Sequence, residues 1–147
     1  MNMGPGGIAL LKGFESCRLT AYQDGGGVWT IGWGQTGPAI VEGSTCTQDQ
    51  ADEWLAQGLQ AISAAVTGYV TAPVNQNQFD ALVDFAYNLG TDTFKGSTLL
   101  KYLNLQKYQL ADSEFLKWNH IGGVISAGLT RRRQAERALF LSPVESA

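Results

Sequence analysis

Three polar residues near the N-terminus have the types and spacing of a hydrolytic centre. Glu15 is followed after eight residues by Asp24, and Asp24 after five by Thr30. Two carboxylates and a hydroxyl around one cleft suit glycosidic cleavage, which needs a protonated acid at the leaving oxygen and an ionised partner across the sugar ring. Phe14 precedes Glu15, and an apolar wall there would raise the acid's pKa and keep its proton. Asp24 stands among Gly25, Gly26 and Gly27, where it would be solvated and ionised. A Glu ending a helix and an Asp in a turn are also ordinary surface residues, so spacing alone leaves both readings open.

The elements that must position these residues can be read locally. Pro5 stands where a helix can begin, and Ile8, Leu11 and Phe14 recur at three-residue spacing, predicting a short helix ending near Gly13–Glu15. Two β-favouring runs, Leu19–Tyr22 and Val28–Trp33, flank the glycines after Asp24 and predict a hairpin. Residues 34–44 read as loop. Thr47 with Gln50 forms a capping box, and Ala51, Trp54, Leu55, Leu59, Ile62 and Val66 make one stripe of a helix to about residue 67. Asn75 with Gln78 is a second cap, opening a helix through Phe79, Leu82, Val83 and Ala86 that stops at Gly90. Shorter helices are expected at 97–104, 108–118 and 130–141, the last capped by Thr130 with Leu139 and Phe140 on its inner face. The fold class is α+β with helices dominating.

Composition bounds the class. The 147 residues are 44% hydrophobic and 16% charged, with 18 Gly but no Gly-x-y period, which suits one globular domain and excludes collagen-like or linker chains. The net charge of −3 hides a split. Residues 1–94 carry two bases against nine acids, and residues 95–147 carry eight bases against four acids. Whole-surface nucleic-acid binding is therefore not expected, although the last third could present a local basic face. No run of 18 apolar residues occurs, so no stable membrane insertion is expected, and residues 1–11 have no basic segment of a secretory signal. Cys17 and Cys46 are expected to be reduced, with a disulfide as the alternative, and a single His (His120) cannot complete a Cys/His zinc site.

The stretches Gly13–Asp24 and Gly27–Thr36 resemble the tailed-phage lysozyme (endolysin) family, which carries a Glu–Asp–Thr triad at this spacing. The likeness continues in Phe85–Gly90, Phe94–Leu100, Trp118 and Gly128–Glu136, so it spans about residues 6–141. The resemblance implies a single lysozyme-like domain over 1–147. A small β-containing lobe (15–46) and a larger helical lobe (70–147) would be joined by a long helix (47–67), with the cleft between them. It implies a cofactor-free, metal-free and inverting muramidase that cuts the β-1,4 bond between N-acetylmuramic acid and N-acetylglucosamine in host lysis. Glu15 would be the general acid, Asp24 the base or charge stabiliser, and Thr30 the residue placing water. Arg132, or Arg131 as the alternative, would pair with Glu15 and temper it, and Asn88 and Ser97 match polar positions lining the cleft. Gln35 stands where relatives often carry His, so a charged His–carboxylate pair is not expected there. Peptidoglycan glycan strands would be the partner of a monomer held in the host cytoplasm until release. A non-catalytic wall-binding domain and a chitin-directed enzyme are the competing readings.

Other patterns carry less. Gly32-x-Gly34-x-x-Gly37 matches a dinucleotide fingerprint, but Pro38 and a loop follow it rather than a helix. Trp118 is expected in the core, Trp29 and Trp33 in the packing of the small lobe, and His120 at the surface. The run Arg131–Arg133 near a helix start opposes the helix dipole by roughly 0.3–1 kcal/mol per charge, which makes an anionic partner attractive.

Overall fold

The computed structural model describes residues 1–144; Glu145, counted in the charge balance, lies outside them. The chain runs α1 (Pro5–Phe14), β1 (Arg18–Gln23), β2 (Trp29–Gly32), α2 (Gln48–Tyr69), α3 (Gln76–Leu89), α4 (Thr91–Lys95), α5 (Thr98–Asn104), α6 (Tyr108–Glu114), β3 (His120–Ile121), β4 (Val124–Ile125) and α7 (Ala127–Leu141). A single 3₁₀ turn, Phe115–Lys117, follows α6. The α+β, mostly helical class is as expected.

Both capping boxes form. Thr47 and Asn75 accept from the backbone of Gln50 and Gln78, whose side chains accept from the cap backbones in return. β1 and β2 pair antiparallel with Tyr22 opposite Thr30, and a bulge interrupts the ladder towards Arg18. The segment after β2 is tied down rather than free: Ile31 pairs with Gln35 and Thr20 with Thr45.

Two local expectations need correction. The last helix starts at Ala127 with Ser126, not Thr130, as its cap; the Ser126 hydroxyl accepts from the Leu129 backbone. Thr130 lies inside that helix and donates its hydroxyl to the Ser126 carbonyl. The second hairpin, β3–β4, was not anticipated. It turns on Gly122 and Gly123, both at positive φ (56° and 81°), where a side chain would be strained.

The core is centred on α3. Phe85 meets Phe94, Phe115 and Trp118 edge-on at 5.7–6.2 Å between ring centroids, placing Trp118 against the core as expected. α7 lies along α3, and Phe140 joins the cluster through Phe115. α1 also lies on α3, and it approaches closely because Gly7 has no side chain: a Cβ there would fall 2.6 Å from the Asp80 Cβ. Asp80 in turn accepts from the Gly4 backbone N–H (2.9 Å), at the dipole-positive start of α1.

Candidate active site

Glu15 is the first residue after α1. Its backbone turns to an extended conformation (φ −91°, ψ 140°) while its N–H still donates to the Leu11 carbonyl. The side chain, 22% exposed, accepts a hydrogen bond on Oε1 from Arg132 Nη1 at 2.7 Å. Of the two arginines considered, Arg132 makes this contact; Arg131 is exposed. The rest of the Arg132 guanidinium is spent on Asp84, with Nε donating to Oδ2 and Nη2 to Oδ1, both at 2.9 Å. This two-pronged pairing fixes the plane of the guanidinium, which a lysine ammonium would not do. Asp84 is fully buried. Burial disfavours the Arg132 charge, but the hydrogen bonds and charges of Asp84 and Glu15 outweigh it and hold the group protonated, above its ordinary value. The wall beside Glu15 is thus cationic as well as aromatic, with the guanidinium of Arg132 5.6 Å from the Phe14 ring centre.

A second layer stands behind Arg132. Glu136 is fully buried, 4.0 Å from Arg132 Nε, and accepts on Oε2 from Arg133 Nη2 at 3.0 Å. Burial, then hydrogen bonding to Asp84 and its charge, push the Glu136 carboxyl well above its ordinary range. Arg133 Nη2 also donates to Asn88 Oδ1 at 2.8 Å. Asp84 and Asn88 are four residues apart on α3, so they share one face towards α7.

Tyr87 links this centre to the hairpin. Its hydroxyl donates to the Trp33 carbonyl just beyond β2. Burial, then the Glu15 charge, push its pKa up to about 12, so it remains a neutral phenol. Gly34, at φ +103°, lies close to both groups: a Cβ there would stand 3.6 Å from the Tyr87 hydroxyl and 3.8 Å from Glu15 Oε2. Glu15 therefore has one oxygen held by Arg132 and the other facing the end of the hairpin.

Asp24 occupies the turn between β1 and β2. Its Oδ1 accepts from the backbone N–H groups of Gly26 and Val28, each at 2.9 Å, while Oδ2 has no hydrogen bond among the described residues. Thr30 is buried on β2 and donates its hydroxyl to the Val28 carbonyl at 2.9 Å, leaving oxygen lone pairs to accept from water. Among the described residues no hydrogen bond joins Glu15 to Asp24.

Gln35 accepts from the Trp33 N–H through Oε1 (2.9 Å) and so braces the end of the hairpin. Trp33 is anchored by its indole N–H, which donates to Asp52 at 2.8 Å; that bond, then one from Gln48, lowers the Asp52 pKa. Ser97 caps α5: its buried hydroxyl donates to the Phe94 carbonyl and accepts from the Leu100 N–H, so its one proton is committed there. His120 is exposed on β3, and both cysteines are free thiols. No group of His, Cys, Asp and Glu among the described residues has metal-binding geometry.

Sequence reasoning gave no role to Asp84, Tyr87, Arg133 or Glu136. A signal for two of them was present: Asp84/Asn88 on α3 and Arg132/Glu136 on α7 are each four residues apart, a pairing that only the docking of the two helices reveals.

A glutamate at a helix end, held by a buried arginine beside a β-hairpin that carries a second carboxylate, has the groups that carboxylate-based glycoside hydrolysis uses. Residues 12–136 match the phage lysozyme family, to which this chain belongs. It is similar to an endolysin of Salmonella phage P22, 43% identical over 97% of this chain and 99% of that one. An endolysin of Bacillus phage B103 is 42% identical over 97% of this chain, which spans only 55% of that relative's length. Among solved structures, the muramidase domain of SpmX from Asticaccaulis excentricus superposes with a TM-score of 0.88 at 37% identity, covering 97% of this chain and 99% of that one. As a family member the chain is a lysozyme, a glycoside hydrolase, and the family acts on peptidoglycan.

Proposed function

We propose that this chain is an endolysin muramidase that cuts the β-1,4 bond between N-acetylmuramic acid and N-acetylglucosamine, with inversion at the anomeric carbon. Glu15, protonated on the oxygen facing the hairpin end, gives its proton to the leaving glycosidic oxygen. Asp24 takes a proton from the attacking water or stabilises the charge developing on the sugar, and Thr30 accepts a hydrogen bond from that water. Once Glu15 has lost its proton, Arg132 is already in place to stabilise the carboxylate. The observation that carries this reading is the asymmetry of Glu15, with Oε1 held by Arg132 and Oε2 beside Gly34.

Gln35 and Asn88 support the site in this reading, Gln35 from the hairpin and Asn88 from the end of α3. The unit is a single lysozyme-like domain acting as a monomer. It accumulates in the host cytoplasm and reaches the wall through membrane holes made by another protein. Glu15→Gln is expected to abolish release of reducing ends from purified peptidoglycan while the far-ultraviolet spectrum and melting temperature persist. Full activity in that variant removes Glu15 from the acid role. NMR of the first-formed product assigns the stereochemistry: the α-anomer supports inversion and the β-anomer refutes it.

A further inference from the structure

Tyr87 stands beside the centre without a part in the proposed reaction. Its bond to Trp33 is one of several holds on that residue. The Trp33 indole N–H donates to Asp52 of α2 at 2.8 Å, and Lys12 of α1 lies 5.2 Å from the ring centre. The Trp33 backbone N–H donates to Gln35 within the hairpin, and its carbonyl accepts from the Tyr87 hydroxyl of α3. The contacts to the indole act across two rotatable side-chain bonds, so they locate the ring rather than the peptide. The bond to the carbonyl acts on the peptide itself. A peptide unit is planar, so the oxygen held by Tyr87 and the Gly34 Cα belong to one rigid plane. A Cβ on that carbon would stand 3.8 Å from Glu15 Oε2, the oxygen that Arg132 leaves free. The other oxygen is governed from the same turn of α3: Asp84, three residues before Tyr87, holds Arg132, and Arg132 holds Oε1.

We infer that Tyr87 is a positioning residue for proton transfer, holding the Trp33–Gly34 peptide against the free oxygen of Glu15. This rests on the muramidase reading. One turn of α3 then sets both oxygens of the acid, one through Arg132 and the other through the hairpin backbone. Thr30 lies three residues before Trp33 on the same run of chain, so the bond also ties the water-placing side of the reaction to the helix that governs the acid. A phenol suits the task. Burial, then the Glu15 charge, push its pKa up to about 12, so its proton stays available to the carbonyl. A phenylalanine there would fill the same space and hold nothing.

Tyr87→Phe tests this by removing one oxygen and keeping the ring. On soluble, uncross-linked peptidoglycan kcat is expected to fall about tenfold, short of the roughly hundredfold cost of a reacting group misplaced by a full ångström. KM should stay close to wild type, because a residue that aims the acid does not hold the glycan. Asp52→Ala is the comparison. It also takes a hydrogen bond from Trp33, but from the indole, so it should lower the melting temperature without lowering kcat. A purely structural role for Tyr87 predicts instead that kcat follows stability alone in the two variants. Both are assayed well below their melting temperatures. A wild-type kcat in Tyr87→Phe overturns the inference, as does an equal fall of kcat in both variants or a loss carried by KM. A wild-type chain that releases no reducing ends from peptidoglycan overturns the muramidase reading, and this inference with it.

Discussion

Replacing Arg132 by Met tests the centre at its most consequential atom group. The side chain keeps much of its apolar length, but three hydrogen bonds at 2.7–2.9 Å disappear. Asp84, with 0% exposure, loses both partners of its two-pronged bond, and no water can reach it without an opening between α3 and α7. Removing one member of a buried ion pair costs about 3–5 kcal/mol, because the remaining charge stays desolvated. For a chain of this size, each kcal/mol lowers the melting temperature by roughly 2–4 °C, so a fall of about 10 °C is expected. Lytic activity should fall about a hundredfold, the cost of a misplaced reacting group. Thermal melts followed by circular dichroism and release of reducing ends measure the two effects. The distinguishing experiment is the double variant Arg132→Met/Asp84→Leu. A buried pair replaced by apolar side chains is close to neutral, so most of the stability should return while activity does not. A single variant as stable as wild type, or a double variant less stable than the single, refutes the reasoning.

Other outcomes follow from the same geometry. Glu136 has a folded-state pKa above its unfolded value, so its contribution is full below the unfolded pKa and is lost as pH rises through the folded one. Glu136→Gln should therefore flatten the alkaline side of the stability–pH curve, and denaturant titrations across pH would show an unchanged slope if this is wrong. Gly7→Ala puts a Cβ 2.6 Å from the Asp80 Cβ and should cost about 1–3 kcal/mol by forcing α1 off α3, read as a shift in the urea midpoint. Gly34→Ala should cost about 1–2 kcal/mol through its left-handed backbone (φ +103°) and should also lower lytic activity, because the new methyl faces Glu15 and Tyr87.

What could be read from the chain beforehand divides by range. Thr47/Gln50 and Asn75/Gln78 are local contracts between a side chain and the nearest backbone, so their helices were legible within a residue or two. The first hairpin was legible because Asp24 and three glycines separate two β-favouring runs. The second was not: Ile121 and Val124 flank its glycine turn with strands of two residues, too short to alternate. Ser126 is a weak cap signal in the sequence because Ala127-Gly128 follows it, and glycine disfavours a helix. Glu15, Asp24 and Thr30 were visible through their spacing and the family resemblance. Asp84 was not, since an Asp between the apolar positions of α3 reads as a solvated edge residue until α7 covers it.

The Arg132–Glu15 bond joins residues 117 positions apart. Contacts so distant in sequence form late, after the intervening loop has closed. The guanidinium that orients Glu15 is thus among the last parts of the machinery to leave the ribosome. A nascent or truncated chain can contain Glu15, Asp24 and Thr30 yet lack the arginine that holds the Glu15 carboxylate. Synthesis itself then acts as a delay: under the proposed reaction, a copy would have its Glu15–Arg132 pair in place only after it had almost wholly emerged and docked its final helix.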